Sequence, residues 1–281
     1  MPQLAGRRVL ITGAARGIGA ALAGRLHARG ARVALAGIEA EQLSVVAAAC
    51  GDAPWRECDV RDGTATEEVV NELVAELGGL DVVVANAGTA KQLPLLGGDP
   101  GVLAQTMRVN VLGTYHTLRA AGPHISHVDG YALPIASLAA AVQLPLMGAY
   151  SASKAAVEAL GNTLRIELAH TGARVGVAYF AELDTAMTRT GFGTAAARKM
   201  TGGAALTPVS SLEVGIDALE RGIARRSRRV AAPWWVAPLL PIRTAVQRLI
   251  DVRGRRGLTE ALEIARDEHA PFTTQQPERA D

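Results

Sequence analysis

Short apolar runs alternate with longer amphipathic stretches along this chain, and that alternation limits its fold more than any other feature. RRVLITG (7–13), RVALAG (32–37), WRECDV (55–60), LDVVVANAG (80–88), GYALPIAS (130–137), ARVGVAYF (173–180) and RRVAAP (228–233) read as strands. Helical periodicity fills the intervals at 18–30, 39–50, 65–78, about 101–121, about 148–170 and 209–226. Strands apolar on both faces, each followed by a helix, require a parallel sheet covered on both sides. Pro134 weakens the strand that contains it, because proline gives the ladder no N–H donor. Residues 190–208, rich in Gly, Ala and Thr, read as a mobile insertion.

TGAARGIG (12–19) joins the first strand to the first helix. Its glycines at 13, 17 and 19 let the backbone approach a pyrophosphate, and the helix N-terminus offers free N–H groups and a favourable dipole. Further along, AYSASKAAVEAL (149–160) sets Tyr150 and Lys154 one helical turn apart among small residues. At that spacing the Cβ atoms lie about 5–6 Å apart. A phenol with an ordinary pKa of about 10 is a poor base near neutrality, and a neighbouring cation favours its ionised form. The pair therefore reads as an acid/base and its tuner.

In order, TGxxxGxG at 12–19, DV at 59–60, NAG at 86–88, VN at 109–110, Ser137 and YSASK at 150–154 resemble the motifs of the short-chain dehydrogenase/reductase family. The resemblance covers roughly residues 5–232. It implies a single α/β domain: a doubly wound, Rossmann-type, mostly parallel seven-stranded sheet with helices on both faces. It implies that Ser137 bonds the substrate oxygen, that Tyr150 is the general acid/base and that Lys154 also holds the nicotinamide ribose. Asn110 would support a water that links the lysine to solvent. For the cofactor it implies the loop Gly13, Arg16, Gly17, Ile18 and Gly19, and Gly37 at the end of the second strand. Asp59, with Val60 after it, would contact the adenine amino group, and Asn86, Ala87 and Gly88 would underlie the adenosine ribose. Thr185 would hold the nicotinamide carboxamide, with Leu183 near that ring. The family's Pro-Gly pair is replaced here by Phe180 and Ala181, which puts that loop's shape in question.

The expected activity is that of an NAD(P)-dependent alcohol dehydrogenase or carbonyl reductase. The alternative is a nicotinamide-binding regulatory protein without turnover, against which stands the full set Asn110, Ser137, Tyr150 and Lys154. Where NAD-using relatives commonly carry Asp, this chain has Gly37, and Arg16 stands where NADP-using relatives often carry a base. NADP is favoured over NAD on those grounds, although Glu39 could reach the ribose as a displaced acid. Leu138, Leu144, Met147, Phe180 and parts of 186–206 suggest an apolar pocket wall, and hence a small apolar alcohol or ketone.

Of the 281 residues 49% are hydrophobic and 20% charged, which is globular composition, and a net charge of +2 by itself names no partner. Neither a nucleic-acid partner nor a metal is expected, Cys50 and Cys58 read as reduced buried thiols, and the absence of a signal-peptide pattern suggests the cytoplasm. The catalytic domain is expected over 1–232, with 233–281 as an extension. Residues 221–256 carry ten arginines against one acid, Asp251. A basic element of that kind could contact an anionic membrane surface, but a cap over the pocket or a subunit interface is the preferred reading. Small residues along 148–170 permit close helix approach and suggest a homodimer or homotetramer.

Overall fold

The computed structural model of the protein describes residues 4–191, 194–201, 207–254, 257–268 and 271–274. Six parallel strands form the main sheet: β1 (Arg8–Thr12), β2 (Arg32–Gly37), β3 (Trp55–Glu57), β4 (Val82–Ala85), β5 (Tyr131–Pro134) and β6 (Arg174–Val175). Their spatial order is β3-β2-β1-β4-β5-β6, so the winding reverses between β1 and β4. The carboxyl ends of strands at such a reversal leave a crevice where ligands bind.

The helices are α1 (Gly17–Ala28), α2 (Ala40–Ala49), α3 (Gly63–Leu77), α4 (Pro100–Met107), α5 (Gly113–Ile125) and α6 (Gly148–Glu167), then α7 (Ala186–Gly191), α8 (Ala195–Thr201), α9 (Leu212–Arg225), α10 (Val236–Leu239), α11 (Arg243–Arg253) and α12 (Leu258–Asp267). Alternate strand residues feed two separate cores. Val9, Ile11, Val82 and Val84 pack with Leu22 and Leu26 of α1 and Leu219 of α9. Leu10 and Val83 face the opposite way, onto Leu73 of α3 and Leu118 and Ile125 of α5. Both faces of each central strand are therefore buried, which is why these runs are continuously apolar.

The run at 173–180 does not form one strand. It breaks at Gly176, and β7 (Val177–Phe180) pairs in parallel with β8 (Arg229–Ala232) as a two-stranded sheet. A parallel bridge between Ile135 and Ala178 ties that pair to β5. In place of the expected seven-stranded sheet there are eight strands, six in the main sheet and two in a second one. The break falls where residues distant in sequence crowd the strand: a Cβ at Gly176 would lie 2.2 Å from the Tyr131 hydroxyl and 2.3 Å from the Ser227 carbonyl oxygen. The Tyr131 hydroxyl donates to that carbonyl at 2.8 Å.

The long helix expected near 101–121 is also interrupted, by a π-helical turn at Arg108–Leu112 that carries the fully buried Asn110. Such turns insert one extra residue and re-aim a side chain. Part of the expected insertion, 194–201, is ordered as α8 and its cap, whereas 192–193 and 202–206 lie outside the described residues. Among the described residues no helix is long and apolar enough to cross a membrane.

Candidate active site

A cavity of about 350 Å³ runs along the carboxyl ends of the strands, from the loop after β1 to α10 and α11. At its first end the glycines are obligatory. Gly13 has φ +63°, and a Cβ there would lie 2.7 Å from the Ala87 Cα; a Cβ at Gly19 would lie 2.2 Å from the Gly13 carbonyl oxygen. Among the described residues no side chain caps the N-terminus of α1, so its first N–H groups face the cradle. That arrangement suits a phosphate group. Arg16, Gly17 and Ile18 line the same end.

Asn86 lines the cavity, but its side-chain amide staples the loop instead of reaching outward. It donates to the carbonyls of Thr12 and Gly13, both at 3.0 Å, and Thr12 Oγ1 accepts from the Asn86 N–H at 3.2 Å. Ala87 and Gly88 continue the wall. Asp59 is oriented by Arg61, whose Nε and Nη2 lie 2.8 and 2.6 Å from Oδ2. Val60 packs against Gly113, where an added Cβ would come within 2.4 Å of it. Gly37 differs from the loop glycines, since an added Cβ would meet nothing nearer than 3.6 Å. The Arg16 Nε lies 3.0 Å from Glu39 Oε1.

Two elements meet at the middle of the cavity: Ser137 follows β5, and Tyr150 and Lys154 come from α6, whereas Asn110, in the π turn, is fully buried and is not among the residues that line it. The Ser137 hydroxyl accepts from the Ala139 N–H at 3.1 Å, donates to the Phe180 carbonyl at 3.3 Å and hydrogen-bonds Tyr150. The Lys154 ammonium donates to the Ile135 carbonyl at 2.8 Å and lies 5.7 Å from the centroid of the Tyr150 ring. The Asn110 amide is a clamp: Oδ1 accepts from the Thr89 N–H at 2.8 Å, and Nδ2 donates to the Thr89 carbonyl and Ser153 Oγ, both at 2.9 Å. Ser153 Oγ in turn donates to the Tyr150 carbonyl at 2.7 Å, so Asn110 fixes the turn of α6 that carries the phenol.

Burial dominates the electrostatics here. It pushes the Tyr150 phenol above its ordinary value, with the Ser137 hydrogen bond acting the other way. It pushes the Lys154 ammonium down to about 8. The expected lowering of the phenol by its neighbour is therefore overridden. Desolvation penalises the charged form of each group, and the cation that would favour phenolate is itself weakened.

Leu138, Leu144, Met147 and Phe180 line the cavity, and Phe180 also packs into the core with Leu183 and Ile216. Leu183 fills the space above Gly215 of α9 and still reaches the cavity. The Thr185 hydroxyl accepts from the Thr188 N–H at 3.3 Å at the start of α7, and it too lines the wall. Several wall residues escaped the sequence reading. Trp235, Leu239, Val246 and Ile250 come from the C-terminal extension, as two pairs at i,i+4 spacing, and that spacing was the available signal. Glu182, whose Oε1 accepts from the Thr207 N–H at 2.6 Å, adds one carboxylate to the wall. The basic segment thus turns an apolar face to the cavity. Arg243 pairs with Glu158 at 3.0 Å, while Arg255 and Arg256 lie outside the described residues.

Residues 7–196 match the profile of the family described as short chain dehydrogenase. An uncharacterized oxidoreductase of Myxococcus xanthus is 34% identical over 270 residues, which cover 91% of this chain and 99% of the relative. A D-threitol dehydrogenase of Mycolicibacterium smegmatis is 34% identical over 178 residues, 62% of this chain and 68% of the relative. A crystal structure of a short chain dehydrogenase/reductase from Burkholderia phymatum in complex with NAD superposes with a TM-score of 0.77 at 22% identity, covering 89% of this chain and 96% of that one.

Proposed function

The chain belongs to the short-chain dehydrogenase/reductase family of oxidoreductases, and from that premise we propose that it moves a hydride between a nicotinamide dinucleotide and a small apolar alcohol or ketone, with Tyr150 as general acid/base. The observation that carries this reading is the convergence of Ser137, Tyr150 and Lys154 in a cavity continuous with the glycine cradle.

When bound, the dinucleotide supplies or takes up the hydride. Gly13, Gly17, Ile18 and the first turn of α1 would hold its phosphates, with Gly19 packed behind the loop, and Gly37, Asp59 and Val60 would hold its adenosine. Asn86, Ala87 and Gly88 would lie along it, and Leu183 and Thr185 would bound its nicotinamide end. The Ser137 hydroxyl orients the substrate oxygen. Tyr150 gives that oxygen a proton in reduction and takes one in oxidation. A raised phenol pKa keeps Tyr150 protonated at neutral pH, which suits reduction there and oxidation at alkaline pH. Lys154, anchored on Ile135, lies beside the ring, and Asn110 positions the turn.

The wall of Leu138, Val142, Leu144, Met147, Trp235 and Ile250 favours an apolar substrate over a polyol such as the D-threitol relative's name implies. NADP is proposed ahead of NAD because Gly37 presents no carboxylate, and Glu39 is the counterweight that admits NAD. The test is a spectrophotometric screen of both dinucleotides against alcohols, aldehydes and ketones graded by chain length. Turnover that improves with apolar length supports the proposal. Dinucleotide binding with no turnover on any of them would instead favour a regulatory protein.

A further inference from the structure

The C-terminal segment returns to the cofactor end of the cavity. α12 lies along α8, and the Glu268 carboxylate accepts from the N–H groups of Ala195 and Ala196 at 2.7 and 3.1 Å. Beyond it, the Thr273 N–H donates to the Ala90 carbonyl at 3.0 Å, and the Thr273 hydroxyl accepts from the Ala90 N–H at 2.9 Å. The same hydroxyl lies 3.4 Å from Thr89 Oγ1, and the Lys91 ammonium lies 5.3 Å from the Phe272 ring centroid. On the opposite side Arg16 Nη2 donates to the Thr273 carbonyl at 3.2 Å and to the Thr274 hydroxyl at 2.7 Å. Thr273 and Thr274 line the cavity together with Gly13, Gly17 and Gly88.

Thr273 is only 6% exposed. It is tied on one side to the segment that follows Gly88 and on the other to the loop that precedes α1. Ala90 also packs against Tyr150 and Met147, so one contact of this strap reaches the reacting end as well.

We propose that Phe272, Thr273 and Thr274 form a latch across the dinucleotide end of the cavity, hinged on Ala90 and caught by Arg16, a proposal that rests on the reading of this cavity as a nicotinamide-dinucleotide site. The dinucleotide then enters and leaves only when the catch is open. Thr273 and Thr274 are positioning residues: they act on the site through Arg16 and Ala90 and leave the proton transfer to Tyr150. Arg16 is shared between the cradle and the catch, so occupancy of one is felt by the other.

Three proteins test the latch: the full chain, a chain ended after Glu268, and full-length Thr273→Val, which keeps the side chain's size and removes its hydroxyl. The readouts are the release rate of reduced dinucleotide, followed by its fluorescence during displacement, and the thermal midpoint without dinucleotide. We expect release about tenfold faster from the shortened chain and several-fold faster from Thr273→Val, in keeping with the loss of a few hydrogen bonds. The midpoint of Thr273→Val should stay close to that of the full chain. Amide exchange at Thr273 should slow when dinucleotide is added to the full chain. Unchanged release from both variants would overturn the latch, as would a lowered midpoint with unchanged release, which would make the strap a structural tie. If the full chain bound neither NADP nor NAD, the reading of the cavity would fall, and the latch with it.

Discussion

Lys154 and Tyr150 stand one turn apart on α6, the ammonium 5.7 Å from the ring centroid, and burial drives both toward their neutral forms. The consequence is measurable in stability. The ordinary pKa of the lysine is 10.5 and its folded value is about 8, so between those limits the unfolded chain binds more protons than the folded one. Stability contributed at this site therefore rises with pH across that window, and the full cost of burying the charge is felt below it. Urea denaturation of the wild type and Lys154→Met should show the wild type gaining on the variant from pH about 8 to about 10. A difference that stayed flat over that range would mean that the ammonium is not buried in solution.

On the proposed reading of the cavity, the Arg16–Glu39 pair should govern cofactor choice. At 3.0 Å each neutralises the other at the end of β2. Glu39→Gln should free the guanidinium and tighten NADP relative to NAD by about tenfold or more, the range of a charge-assisted bond. Gly37→Asp should move the ratio the other way, and the backbone can accept it, since a Cβ there meets nothing nearer than 3.6 Å. Dissociation constants for both dinucleotides decide the matter. No change in the ratio on Glu39→Gln would remove this pair from the account.

Ser151 follows the phenol on α6, and its hydroxyl is buried with no hydrogen-bond partner among the described residues. Leaving a buried hydroxyl unpaired costs about 1–3 kcal/mol, and alanine is the better helix former. Ser151→Ala should therefore stabilise the protein by about 1 kcal/mol, read as a rise in thermal midpoint of about 2–4 °C. A fall in the midpoint would show that the hydroxyl has a partner in solution.

The outer face of α6 exposes Ala152 and Ala159, and Leu112 and Tyr115 are exposed at the neighbouring π turn and the start of α5. Small residues beside exposed apolar ones suit close helix pairing between two copies. Light scattering at micromolar concentration should give a mass at least twice 29.2 kDa, and Ala159→Arg should reduce it. A wild-type mass of 29.2 kDa would exclude the pairing.

Local chemistry was legible in the sequence, and long-range chemistry was not. The glycine cradle could be read because Gly13, Gly17 and Gly19 stand together in one short segment between a strand and a helix. Tyr150 and Lys154 could be read as neighbours because i,i+4 spacing puts them on one helix face, whereas Ser137 was placed with them only by the family resemblance. The break at Gly176 could not, since it depends on Tyr131 and Ser227, each distant in sequence. The π turn at Asn110 hid inside a helical period that it shifts by one residue. Spacing supplied the cation beside Tyr150 but not the burial that outweighs it. Thr273 gave no signal, because its partners Ala90 and Arg16 lie 183 and 257 residues earlier.

The central claim is that Tyr150 transfers the proton during hydride transfer. Its most direct test is the turnover of Tyr150→Phe on any alcohol or ketone that the wild type accepts, with dinucleotide affinity measured alongside. Turnover should fall by a factor of at least about 10², the usual contribution of a general acid/base, while the dissociation constant changes little. Near-normal turnover by the phenylalanine variant would contradict the account.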